Sequence, residues 1–321
     1  MAPHRALCLA AISLSLAACG AASQPSGAGT SGGAVSGRAY DPMCNFKTSA
    51  PHTYSSVIWI WFGDSDANTV ASNSGVTPYT GALMDRCGIA VDYHNITHPY
   101  LPNALGATSG VVQGQAATTD CAPAACPQPQ QSIFDQLQAE GQQWREFVLA
   151  PQGTCADAPA AYYPSVAAHC AQWEAPLGTP QKGELRDELV GGTVTGFTFI
   201  LPDVAHDTGP QADQFLSDWI PAITGSPQYR AGKVAVFITW DQGLTNPSTG
   251  EACDDHAHAN AVLYPGCNVA FIALGPAVGP TRSTDYFTHY SLLRTTEELL
   301  GISTYLGGAA QAQSLRTALH L

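Results

Sequence analysis

Positive charge is scarce in this 321-residue chain, which has 12 Lys and Arg against 25 Asp and Glu and a formal net charge of −13. Its lysines, Lys47, Lys182 and Lys233, are scattered, and no window holds a basic run. Binding a nucleic-acid backbone needs clustered Lys and Arg that displace counterions, so nucleic acid is excluded as a partner. Long apolar runs are missing too. Nothing after the first twenty residues reaches the roughly 20 apolar residues that a membrane-spanning helix takes. The paired C-x2-C clusters of a structural zinc site do not occur, and no internal repeat is evident. Hydrophobic residues make up 45% of the chain and charged ones 12%, ample material for one large core.

The N-terminus reads as a processing signal. His4 and Arg5 precede an Ala/Leu-rich stretch over residues 6–18, too short to span a bilayer. The stretch ends in Leu16-Ala17-Ala18-Cys19, which resembles a bacterial lipobox in which Cys19 is lipidated and becomes the mature N-terminus. The expected organisation is a signal over 1–19, a Gly/Ser/Ala-rich tether over 20–40 and a single domain over 41–321. The expected location is outside the cytoplasm, as a cell-surface or periplasmic lipoprotein of a bacterium or, alternatively, fully secreted. Membrane contact would be made only through the lipid anchor.

Cys8 and Cys19 belong to the signal, leaving Cys44, Cys87, Cys121, Cys126, Cys155, Cys170, Cys253 and Cys267. An even set in an exported chain points to disulfides. Proximity suggests 121–126, 155–170 and 253–267, leaving 44–87, although sequence does not fix the connectivity.

Apolar runs rich in β-branched and aromatic residues predict strands at Val57–Phe62, Gly88–Tyr93, Phe197–Leu201, Lys233–Trp240 and Val269–Leu274. Ala212, Phe215, Leu216, Trp219, Ile220 and Ile223 recur at helical spacing, as do Leu292, Leu293, Leu299 and Leu300, with Ser291 as the expected cap and Gly301 as the stop. Ser132 opens a capping-box pattern before Ile133, Phe134 and Leu137. Residues 104–130 and 241–266 read as loops, some of them stapled. Alternating strands and helices imply a three-layer α/β/α sandwich around a mainly parallel sheet.

In such sheets ligands sit beyond the carboxyl ends of the strands. There the sequence places Gly63-Asp64-Ser65-Asp66, then His94-Asn95-Ile96-Thr97-His98, then Pro202-Asp203 through His206-Asp207, then Asp241-Gln242-Gly243. These are common turn residues, but four successive strand ends carrying carboxylates, histidines and amides suggest a metal or phosphate site.

Thr97-His98-Pro99-Tyr100-Leu101-Pro102-Asn103 followed by Thr108-Ser109-Gly110 resembles the T-H-P-S-L-P-N…T-S-G signature of the phosphoesterase family. So do S-I-F-D-Q-L-x3-G-x2-W from Ser132, L-P-D-x3-D from Leu201, I-T-W-D-Q from Ile238 and H-Y-S-L-L-R-T-T-E-E-L-L-G from His289, in the family's order over residues 54–318. The resemblance implies an alkaline-phosphatase-like fold. It also implies the chemistry of acid phosphatases and phospholipases C, in which a Ser or Thr attacks phosphorus beside histidines and a divalent metal ion. The implied substrate is a phosphoester small molecule or a lipid head group.

Carried over position by position, the resemblance puts Tyr100 where the family has its Ser nucleophile, with Thr97, His98, Asn103 and His289 around it. Asp64, Asp207, Asp241 and Gln242 fall at metal-binding positions. The departures are several. Gly63-Asp64 stands for Glu-Asn, His206-Asp207-Thr208-Gly209 for N-D-M-H, Gln242 for the Glu of W-D-E, and Asn268 for the His of C-H-V-P. Ahead of Pro159 a further histidine is missing. Thr97 or Ser109 could substitute as nucleophile, Asp66 could replace the missing Glu, and Asp254, Asp255, His256 and His258 could form a compensating cluster or only a solvated loop. Groups that act together lose orders of magnitude in rate together. Two readings therefore stand, a phosphoester hydrolase and a catalytically inactive binding or scaffold module, and the count of losses favours the second for activity. A hydrolase of another kind using Asp/His pairs has no positive motif.

Overall fold

Residues Ser56–Phe62, SVIWIWF, are buried along their whole length, which a strand can be only when both faces of its sheet are covered. The computed structural model, which describes residues 43–72, 75–149, 158–203, 206, 208–243 and 267–321, places this strand, β1, near the middle of one sheet. The other strands are β2 (Gly88–His94), β3 (Trp144–Val148), β4 (Glu174–Pro176), β5 (Phe197–Leu201), β6 (Val234–Trp240), β7 (Phe271–Leu274) and β8 (Arg282–Thr288). The sheet has 8 strands in the order β4-β3-β5-β1-β6-β7-β2-β8. Only β7 runs against its neighbours β6 and β2. Helices flank the sheet, and the expected mainly parallel α/β architecture is what the chain adopts.

The expected strands are present, with ends shifted by a residue or two. β3, β4 and β8 were not anticipated. β3 interrupts its apolar pattern with Arg145 and Glu146, β4 is 3 residues long, and the edge strand β8 alternates polar residues with few buried ones. The loop expected over 104–130 needs correction at its start, because Tyr100–Ser109 is a helix. Its small residues look loop-like, yet they allow close packing. A Cβ on Gly106 would stand 2.6 Å from Ile96 Cδ1. Gly110, at φ +73°, closes the helix in the left-handed conformation that glycine adopts without strain.

Packing fixes the helices to the sheet. Trp59 meets Phe197 and Phe199 edge-on at 4.8 and 5.3 Å between ring centroids, and each buried ring contributes roughly 1.5–3 kcal/mol. Trp59 Nε1 also donates to Thr296 Oγ1 at 2.9 Å, joining β1 to the His289–Leu299 helix. That helix is capped by Thr288, and Ser291 serves as the reciprocal partner three residues in, which corrects the expected cap. Ser132 and Asp135 form the anticipated capping box. Cys44–Cys87 and Cys121–Cys126 are bonded, and Cys267 is in a disulfide. Cys155 and Cys253 lie outside the described residues, as do the signal, Cys19 and the whole tether. Among the described residues no helix is long and apolar enough to cross a membrane.

Candidate functional site

The register decides what meets at the carboxyl ends of the strands. Phe62 pairs with Trp240 across β1 and β6, so Gly63-Asp64 and Asp241-Gln242 leave the sheet side by side. The backbone keeps them together: Asp241 N–H donates to Phe62 O at 2.9 Å and Ser65 N–H to Gln242 O at 3.0 Å. The side chains then meet, with Gln242 Nε2 donating to Asp64 Oδ1 at 2.7 Å. Asp64 is exposed, whereas Gln242 is buried.

His98 reaches the same place from the loop after β2. Burial lowers its imidazole below the ordinary value, while the nearby Gln242 side chain and Asp64 carboxylate act the other way. No hydrogen bond of normal geometry satisfies His98 Nε2 or Gln242 Oε1, and both atoms are buried. Gln242 is nonetheless the hydrogen-bonding neighbour of His98, so the pair is incompletely satisfied and a polar ligand bridging the two would complete it.

The loop that presents His98 is held by Asn103. Asn103 Oδ1 accepts from the Ile96 and Thr97 amides at 2.8 and 3.1 Å, and Nδ2 donates to Thr97 O and Pro99 O at 2.6 and 3.0 Å. Every polar valence of this side chain is used within the loop; its role is to shape the segment leading into Tyr100. Tyr100 is the first residue of the Tyr100–Ser109 helix and packs partly against the core.

His289 is fully committed as well. Its Nε2 donates to the backbone oxygen of Asp241 at 2.6 Å and its Nδ1 accepts from Tyr93 Oη at 2.9 Å, which fixes the tautomer. Complete burial pushes its pKa down to about 3, so the ring is neutral in neutral solution. The other anticipated groups fall as follows. Thr97 is half-buried, its hydroxyl 3.5 Å from His98 O. Ser109 lies at the far end of its helix, roughly 13 Å from Tyr100 at 1.5 Å rise per residue, with its hydroxyl donating to Leu105 O. Asp66 caps the Ala67–Ser72 helix through Thr69 N and Thr69 Oγ1 at 2.7 and 2.9 Å. Asn268 Nδ2 turns back to Val91 O. The Asp241 side chain is buried beneath the strand ends. Asp207, Asp254, Asp255, His256 and His258 lie outside the described residues.

Asp203 and His206, expected at a strand end but not as partners, form a pair. At the end of β5, Asp203 Oδ1 meets His206 Nδ1 at 2.5 Å. The D-x-x-H spacing directly after a strand was the available signal.

A divalent metal needs three or more protein donors turned to one point. Among the described residues no group of three or more His, Cys, Asp or Glu could hold one. Asp66 is spent on a helix cap and His289 on two internal hydrogen bonds, and Asp207 lies outside the described residues, which leaves Asp64, the buried Asp241, His98 and the Gln242 amide. The described residues form no site for the divalent metal ion that the resemblance implies.

Comparison with known proteins agrees with this geometry at the level of fold. No curated protein matches the sequence. Among solved structures, a Vibrio parahaemolyticus protein of the alkaline phosphatase superfamily is 11% identical with a TM-score of 0.52, over 86% of this chain and 74% of that one. The murine ectonucleotide pyrophosphatase / phosphodiesterase 5, an inactive variant in complex with AMP, is 11% identical with a TM-score of 0.52, over 83% of this chain and 100% of that one. The sequence model of the Phosphoesterase family matches residues 35–303, most of the chain. The chain therefore belongs to the Phosphoesterase family.

Proposed function

We propose that this protein is an exported phosphoric ester hydrolase that works at the carboxyl ends of β1 and β6 with fewer parts than the family resemblance implies. The observation that carries the reading is the convergence of Asp64, Gln242 and His98, with His98 Nε2 and Gln242 Oε1 both buried, neighbours of each other, and short of a hydrogen bond of normal geometry. His98, kept neutral by its surroundings, can take or give a proton at Nε2. Asp64 holds the Gln242 amide so that its oxygen faces a ligand hydroxyl or a protonated phosphoryl oxygen. Tyr100, at the first position of a helix, sits where the positive end of the backbone dipole favours an anion. The AMP complex of the murine structural neighbour and the family membership both suit a phosphoester substrate. An N-terminal lipid on Cys19 would hold the domain at a cell surface or in a periplasm.

The second reading is a binding module without turnover, and Tyr100 at the expected Ser position favours it. Hydrolysis of p-nitrophenyl phosphate and bis(p-nitrophenyl) phosphate by the purified protein, from acid to mildly alkaline pH and with or without divalent cations, separates the two. The hydrolase reading expects turnover that drops at least tenfold in Asp64→Ala and His98→Ala, with both variants folded. Binding of inorganic phosphate without turnover under any condition replaces it with the second reading.

A further inference from the structure

The segment after the Tyr100–Ser109 helix doubles back along it and touches both of its ends. Leaving Gly110, the chain is first tied by Gln113, whose amide donates to Gln128 Oε1 at 3.0 Å and whose carbonyl accepts from Gln128 Nε2 at 3.2 Å. It then runs to the other end of the helix, where Asp120 Oδ1 accepts from Leu101 N–H at 2.8 Å. Leu101 is the residue directly after Tyr100. The Cys121–Cys126 bond turns the chain there, and Tyr162 Oη donates to Cys121 O at 2.7 Å. The chain returns through Gln128 to Gln130, whose Nε2 donates to Val111 O at 3.1 Å, past the end of the helix. The disulfide thus closes a strap whose anchors lie at opposite ends of one helix.

Global stability is not what this disulfide mainly supplies. By chain entropy, closing a ring at a separation of 5 stabilises less than closing Cys44–Cys87 at a separation of 43. What the short ring does supply is position. Asp120 is an exposed residue next to the bonded Cys121, and an exposed carboxylate holds one backbone amide reliably only when its own backbone is fixed.

We propose that the Cys121–Cys126 strap is a redox-sensitive positioning device, in which Asp120 is a positioning residue that sets the start of the Tyr100 helix and thereby the working geometry of the site. The proposal rests on the site reading above for its functional consequence, but not for its structural one. An external dithiol reduces the bond by thiol–disulfide exchange, becoming a disulfide itself while its two electrons and two protons leave Cys121 and Cys126 as thiols; Cys121 is then free of Cys126, Asp120 swings away, and the Leu101 amide is left to solvent.

The test uses the full domain as Cys121→Ser/Cys126→Ser, which spares Cys44–Cys87, together with Asp120→Ala and Asp120→Asn. Amide hydrogen exchange at Leu101 reads the strap directly, and kcat and KM for p-nitrophenyl phosphate read its consequence. The expected result is at least tenfold faster Leu101 exchange in both the double-serine variant and Asp120→Ala. Their effects are shared rather than additive, and Asp120→Asn, which keeps an acceptor oxygen, stays close to the parent. The same variants should lose severalfold in kcat with a smaller change in KM. Unchanged Leu101 exchange in the double-serine variant overturns the strap. Faster exchange there but not in Asp120→Ala overturns the role of Asp120. Faster exchange in both, in a protein that turns over no phosphoester, leaves the strap standing and removes the hydrolase reading instead.

Discussion

Two parts of the site treat their polar groups in opposite ways. At Asn103 and His289 every hydrogen-bonding position is used inside the protein. At Asp64, Gln242 and His98, a carboxylate is exposed and two buried atoms, His98 Nε2 and Gln242 Oε1, are short of a hydrogen bond of normal geometry. Asn103, His289 and His98 match the family pattern, whereas Asp64 and Gln242 stand at changed positions, so the matched residues fall on both sides of the divide. The difference teaches that matching a motif does not locate chemistry. Asn103 shapes a loop and His289 ties the strand ends to Tyr93, so both are needed for the fold to present anything at all. Groups that face a ligand can change with the ligand; groups that hold the frame cannot.

The largest effect should come from breaking the frame. His289→Ala removes both internal hydrogen bonds, so that Tyr93 Oη loses its imidazole acceptor and keeps only Thr239, and Asp241 O loses its imidazole donor in a closed interior. It should cost about 3 kcal/mol in a denaturant melt, and Asn103→Ala should cost a similar amount. A loss below about 1 kcal/mol in both would erase the distinction drawn here.

Next in size is a change of charge at the open corner. Gln242→Glu puts a second carboxylate against Asp64, 2.7 Å from where the amide now donates. The two anions repel, which should lower stability by about 1–2 kcal/mol in metal-free buffer, and added zinc or manganese should restore it. If the metal restores nothing, the two side chains do not face a common point.

A pH effect sharpens the comparison from a third place. Glu297 Oε1 accepts from Leu306 N–H at 2.9 Å, while its Oε2 and Gln136 Oε1 are buried and short of a hydrogen bond of normal geometry, with the Gln136 side chain beside the carboxylate. Burial raises its pKa from 4.5 to about 7. The folded state therefore binds this proton more tightly than the unfolded state does. Its stability contribution is full below about pH 4.5 and is lost as pH rises through about 7. Glu297→Gln, whose amide can donate to Gln136 Oε1, should flatten that slope and be more stable than the parent at pH 8 by on the order of 2 kcal/mol. Identical slopes in urea melts would show that Glu297 does not titrate in this range. The smallest effect is expected from Asp64→Asn, which keeps the acceptor for Gln242 on an exposed side chain and should change stability by no more than about 0.5 kcal/mol.

Much of the fold was legible because its central strands are buried on both faces, and a run such as Val57–Phe62 needs no partner to announce itself. β3 was not, since Arg145 and Glu146 break its apolar pattern; Arg145 reaches out to Glu188 at 3.3 Å and stacks over Phe147. The Tyr100–Ser109 helix was hidden by its small residues, whose value lies in how closely they let its neighbours approach. The meeting of Asp64 with Gln242 could be anticipated from strand ends, because parallel neighbours deliver their next residues to one place. Bonding partners could not. Nothing in the sequence distinguishes an Asp66 that caps a helix from one that faces a ligand, or a His289 that is locked from one that is free.

The central claim is that chemistry lies with Asp64 and His98 and structure with His289 and Asn103. Turnover of p-nitrophenyl phosphate, measured beside the thermal melt for Asp64→Ala, His98→Ala and His289→Ala, tests it most directly. The account predicts that Asp64→Ala and His98→Ala melt close to the parent and lose at least tenfold in kcat/KM, while His289→Ala loses stability first. Parent-like turnover in folded Asp64→Ala and His98→Ala would contradict it.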